Sequence, residues 1–123
     1  MWLRRYLPCG HIHLAWLGDC IEGFNSQGGA NTWRTQTMLT EQTRIVRRLM
    51  IHAVQLFAPL APKVTVVSVP GNHDEPQRFS GKGVTRFDDS HSVDALVAVG
   101  DALAMNPKAY SHVQLLTPAP DEL

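Results

Sequence analysis

Hydrophobic and polar positions along the chain follow two periods. Residues 11 to 17, HIHLAWL, alternate and then become continuously apolar, which predicts a strand entering a covered sheet; Gly18 ends it. Through residues 40 to 58 and just beyond, Val46, Leu49, Met50, Ala53, Phe57 and Leu60 recur at steps of three and four, the apolar stripe of a helix. Thr40 is its expected cap, Glu41 suits the positive first turn, and Pro59 and Pro62 stop it. Residues 63 to 69, KVTVVSV, are short and β-branched and form the clearest strand. A second helix is expected over about 91 to 105, capped by Asp89 or Ser90 and ended by Asn106-Pro107. Its apolar face would be Val93, Leu96, Val97 and Leu103.

Two polar, glycine-containing stretches, 23 to 37 and 76 to 88, read as loops. Strand, long helical crossover and second strand make a βαβ unit, so the fold class is α/β with parallel strands and a right-handed crossover. The expected organisation is a lead-in over 1–10, one domain over 11–116 and a disordered, proline-rich tail over 117–123.

Composition narrows the classes. A chain of 123 residues suits a single domain with a small core. Lys+Arg and Asp+Glu both number 11, so no basic excess marks a protein that grips nucleic acid through its overall charge. Contact with nucleic acid would have to be local to a site. Cys9 and Cys20 do not make a disulfide framework, and reduced thiols in a cytoplasmic setting are expected. No apolar run has bilayer length, and the start, MWLRRYLPCG, lacks the apolar core of a secretory signal, so no membrane partner is expected.

Candidate chemistry sits where the two strands end. Parallel strands put their carboxyl ends on one edge, where open α/β sheets bind ligands. The first strand runs into Gly18-Asp19-Cys20-Ile21-Glu22 and the second into Gly71-Asn72-His73-Asp74-Glu75, more than fifty positions later. Asp19 offers two carboxylate oxygens to a hard or borderline cation, and Asn72 a neutral amide oxygen. His73 suits proton donation to a phosphate oxygen or leaving group, and Asp74 is expected to orient its imidazole.

These two stretches, GDCIEG and GNHDE, resemble the second and third motifs of the calcineurin-like metallophosphoesterases, in the branch that includes repair-exonuclease subunits. The residues between them look most like phosphoesterases encoded by bacteriophages of actinobacteria. The resemblance covers roughly residues 11 to 112 and implies a partial metallophosphoesterase sandwich. It implies two divalent metal ions, manganese first, with iron, zinc or magnesium as alternatives. Asp19 would be the bridging ligand, Asn72 a ligand of the second ion, His73 the catalytic histidine and Asp74 its partner, with Glu22 part of the motif. The expected substrate is a nucleic-acid phosphodiester or another phosphate ester, in the host cytoplasm if the protein is phage-encoded. Family members also carry an earlier Asp-x-His and a later Gly-His-x-His. Neither lies at the corresponding place, so a truncated form with an incomplete metal site and weak activity alone is expected.

Other residues carry weaker signals. Gly10-His11-Ile12-His13 matches the later motif in letters, but His13 would lie about 20 Å up the strand from the site. Asp89-Ser90-His91 matches the earlier one but precedes a helix; capping is favoured, with His91 a candidate at the pocket edge. Arg78, Lys82 and Arg86 follow the GNHDE stretch and could steer phosphate, or form an ordinary solvated loop. Trp33 could stack on a base or pack. Two other functions compete: a non-catalytic remnant or interaction module of the same fold, and a small-molecule phosphatase. An exposed sheet edge would favour self-association.

Overall fold

The structure, a computed structural model, describes residues 9–119. Most of the expected lead-in (residues 1–8) and the end of the expected tail (120–123) lie outside these residues. Strand β1 (His11–Trp16) leads through a long loop with a 3-10 turn at Ser26–Gly29 to helix α1 (Leu39–Phe57). A second 3-10 turn (Ala58–Leu60) precedes strand β2 (Lys63–Ser68). Then come two very short strands, β3 (Arg78–Phe79) and β4 (Lys82–Gly83), helix α2 (His91–Ala104), a single turn α3 (Pro107–Tyr110) and strand β5 (Val113–Leu116).

The fold is mixed α/β around a parallel three-stranded sheet in the order β1-β2-β5. Ile12 pairs with Val64 and Trp16 with Ser68, so β1 and β2 end level. Val64 pairs in turn with Val113. Successive parallel strands added in one direction by right-handed crossovers put both helices on the same face. That face carries Ile12, Leu14 and Trp16 of β1, Val64 and Val66 of β2, and Val113 and Leu115 of β5, all packed in one core. Met50 and Val54 of α1 and Leu96 and Val99 of α2 are fully buried against it. Each such side chain contributes roughly 1.5–3 kcal/mol relative to exposure. Alternate strand positions, including His11, His13 and Gln114, are exposed on the opposite face. The edge strand β1 is stitched there to β2 by Thr65, whose hydroxyl meets His13 Nδ1 and, at 3.0 Å, His11 Nε2.

Several expectations need correction. β5 has little strand signal of its own: VQLL follows a polar turn, is only four residues long, and becomes a strand because the open edge of β2 takes it as a partner. Thr40 does not cap α1. The helix starts at Leu39, and the Glu41 carboxylate closes its first turn by accepting from Met38 N–H at 3.1 Å. Thr40 instead offers its carbonyl to Thr43 and Arg44. Leu49 and Val97, placed on apolar stripes, are each 51% exposed, because the single sheet face covers only part of each helix. The loop over 76–88 contains the antiparallel β3–β4 hairpin.

Candidate functional site at the strand ends

The parallel register delivers both chemistry-bearing turns to one sheet edge, and glycines let them touch. A Cβ on Gly71 would collide with Asp19 N and Oδ1. Gly23, at φ +67°, lies with its Cα against the His73 carbonyl, where a Cβ would also collide. Asp19 itself has φ 48°, a left-handed conformation that short polar residues tolerate and that often marks functional turns. Its Oδ1 accepts the His73 N–H at 2.8 Å. Asn72, exposed, therefore lies between two residues that both meet Asp19.

The partner of His73 is Glu22, not Asp74. His73 Nδ1 lies 2.9 Å from Glu22 Oε2. Hydrogen bonds from Ser26, Asn31 and His73 hold the Glu22 carboxyl down to about 2, far below the usual carboxylate range, so it is ionised at neutral pH. An ionised carboxylate only accepts; Nδ1 therefore carries the hydrogen, and Nε2 is the nitrogen presented for chemistry.

The place of Asp74 beside His73 in the sequence predicts that it orients the imidazole. It is instead fully buried, and both its oxygens are committed elsewhere. Oδ1 accepts from Gly71 N–H at 2.9 Å and Ser90 Oγ at 3.0 Å, and Oδ2 accepts from Ser92 Oγ. Ser90 also caps α2 by accepting from the N–H groups of Ser92 and Val93, as its place before the helix predicts. The Ser92 hydroxyl accepts from Cys20 N–H at 3.3 Å. Asp74 thus fastens the GNHDE turn to α2 and, through Ser92, to the Asp19 loop. Burial pushes the Cys20 thiol up, which suits an inert side chain.

His91 joins this network through its main chain, donating N–H to the Asp74 carbonyl at 2.8 Å. Its Nε2 is enclosed without a hydrogen-bond partner. Arg78 pairs with Glu75 at 3.0 Å, while Lys82 is exposed on β4. Trp33 is 87% exposed.

Four participants carry little or no functional signal in the sequence. Ser26 and Asn31 orient Glu22 from a loop whose polar residues have no periodic signal, whereas Ser92 serves Asp74 from the first turn of α2, four positions before Leu96 and in phase with its buried face. Gln42 is placed likewise: it is a polar residue four positions before Val46, in phase with the apolar stripe of α1. Buried there, it accepts from Gly23 N–H at 2.9 Å and donates to the Thr37 carbonyl, tying the first loop to the helix.

The resemblance implies two metal ions. Among the described residues, no group of three or more His, Cys, Asp or Glu side chains is arranged to hold one. Asp19 and Asn72 offer oxygen donors at this edge beside Glu22, whose oxygens are engaged by Ser26, Asn31 and His73, and one Asp19 oxygen already accepts from His73. A hard cation that keeps several waters needs only one or two protein carboxylates plus substrate phosphate oxygens. By donor type, Asp19 and Asn72 suit such an ion, and among the described residues no further ligand cluster accompanies them for a bridged pair. No family model, curated protein or solved structure matches the chain.

Proposed function

We propose that the chain is a phosphoester-hydrolysing domain whose substrate is a nucleic-acid phosphodiester, with the strand-end loops as its reaction site. The observation that carries this reading is the meeting of Asp19, His73 and Glu22, drawn from two distant stretches onto one sheet edge by close contacts that only glycine permits. That edge is where parallel α/β sheets place ligands. The choice of nucleic acid rests on the motif resemblance alone.

In this reading the side chains have distinct tasks. Glu22 fixes the ring of His73 and its tautomer. In its imidazolium form His73 would keep Nδ1–H on Glu22 and present Nε2–H to the phosphate, donating that proton or hydrogen bond to the departing oxygen. Asp19 and Asn72 would hold a divalent cation, which supplies Lewis-acid polarisation of a phosphoryl oxygen when bound. Asp74 does no chemistry; it keeps the turn that carries Asn72 and His73 in register with Asp19.

The test is hydrolysis of bis-p-nitrophenyl phosphate and p-nitrophenyl phosphate with added Mn²⁺ or Mg²⁺, alongside calorimetry with the metal alone. Turnover of the diester, lost in His73→Ala, together with metal binding lost in Asp19→Ala, supports the proposal. Preference for the monoester makes the protein a small-molecule phosphatase. Metal binding unchanged by Asp19→Ala, with no turnover of either ester, makes it a non-catalytic module of the same fold.

A further inference from the structure

Among the described residues, two of the clefts are lined from the loops that follow β1 and β2, and their charges differ. The smaller, about 450 Å³, is lined by Asp88, Asp89 and Asp94 beside Arg86, whose guanidinium is already held by Asp88 at 2.7 and 2.9 Å. Such a lining repels anions. The larger, about 650 Å³, opens between the first loop and the β3–β4 hairpin. Phe24, Asn25, Gln27, Arg78 and Ser80 line it together with three glycines, and no carboxylate does. Its volume lies within the range of pockets that hold small organic ligands.

Both walls are anchored to Glu75, two residues past His73. Asn25 Nδ2 donates to the Glu75 carbonyl at 2.8 Å, and Arg78 Nε lies 3.0 Å from Glu75 Oε2. Arg78 Nη2 donates to the Gly81 carbonyl at 2.7 Å. These contacts orient the guanidinium while engaging only part of its five-donor fork, so other N–H groups can meet phosphate oxygens. Phe24 is 42% exposed, an apolar ring lining the same cleft as Arg78. Gln27 adds an exposed amide of the kind that reads base edges.

We infer that this cleft takes one nucleotide unit of the substrate, with its base against Phe24 and its phosphate at Arg78. The inference rests on the proposed function for the identity of the reaction next door, but binding in the cleft requires neither metal nor turnover. A phosphate held only by charge would not need the aromatic wall; a base held only by stacking would not need the oriented guanidinium.

The experiment is calorimetry of the full chain in excess chelator, with thymidine 5′-monophosphate and ribose 5-phosphate as probes. The nucleotide is expected to bind tighter than the sugar phosphate by roughly 5- to 150-fold, the range of a base–aromatic stack. Phe24→Ala should abolish that difference, and Arg78→Ala should weaken both probes. Arg78→Lys, which keeps the charge but not the fork, should recover only part of the loss. Melting temperatures confirm that each variant is folded. Equal binding of the two probes, no binding of either at millimolar concentration, or an unchanged preference in Phe24→Ala overturns the inference. Because chelator is present, nucleotide binding without diester hydrolysis in the metal-loaded assay would remove the proposed function and leave the cleft assignment standing.

Discussion

Glu22 and His73 meet at 2.9 Å across fifty-one positions of sequence, and the carboxylate is itself clamped by Ser26 and Asn31. A histidine held at Nδ1 in this way has one ring nitrogen for structure and one for chemistry. General acid–base assistance of this kind is worth about 10²–10⁴-fold. His73→Ala is therefore expected to lower kcat on a phosphodiester by about that factor. Glu22→Gln removes the ionised acceptor but preserves its shape, so a smaller loss is expected together with a displaced pH–rate profile. Steady-state rates between pH 5 and 9 check both. An unaltered profile in Glu22→Gln would deny it a positioning role.

Glu22 also sets a pH dependence of stability. Its folded carboxyl is lowered from an ordinary 4.5 to about 2, so the folded state binds a proton less readily than the unfolded chain. The stabilisation is complete above about pH 4.5 and is lost as pH falls toward 2. The urea midpoint of the wild type should fall between pH 5 and 2.5 by more than that of Glu22→Gln. Parallel curves for the two proteins would contradict the assignment.

Gly71 controls whether the two loops can touch at all. A methyl group there collides with the main chain and carboxylate of Asp19, and rigid backbone cannot yield as a flexible side chain could. Gly71→Ala is expected to destabilise by about 1–3 kcal/mol, the usual cost of overpacking, and to weaken Mn²⁺ binding with it. Chemical denaturation and metal calorimetry on one sample measure both effects.

Asp74 should behave as a structural residue. Asp74→Ala leaves Gly71 N–H and the hydroxyls of Ser90 and Ser92 without their buried acceptor. Leaving such donors unpaired costs about 1–3 kcal/mol each, so a loss of roughly 3 kcal/mol or more is expected. Asp74→Asn keeps acceptor capacity on one oxygen and should lose less. If Asp74→Asn kept wild-type stability yet lost activity as His73→Ala does, the residue would belong to the chemistry after all.

Local order explains which parts of this protein can be read along the chain. Helices α1 and α2 and strands β1 and β2 follow from periodicity and β-branched runs, since each side-chain pattern is a property of a short segment. Parallel pairing followed from the length of the crossover between β1 and β2. The placement of Asp19 and Asn72 at neighbouring strand ends followed from that topology. β5, by contrast, carries four residues of weak pattern and depends on an edge offered by β2.

Roles within the site lay beyond such reasoning. Adjacency in GNHDE made Asp74 the natural partner of His73, but neighbouring residues in a turn point different ways, and the buried carboxylate turned to Ser90 and Ser92. The partner of the imidazole came from the other loop, at Glu22. Hydrogen-bond direction and burial depend on where distant segments pack, so they emerge only once the sheet and both helices are assembled. Residue type and order set the elements and their edge; packing decided which carboxylate holds a histidine and which holds the fold.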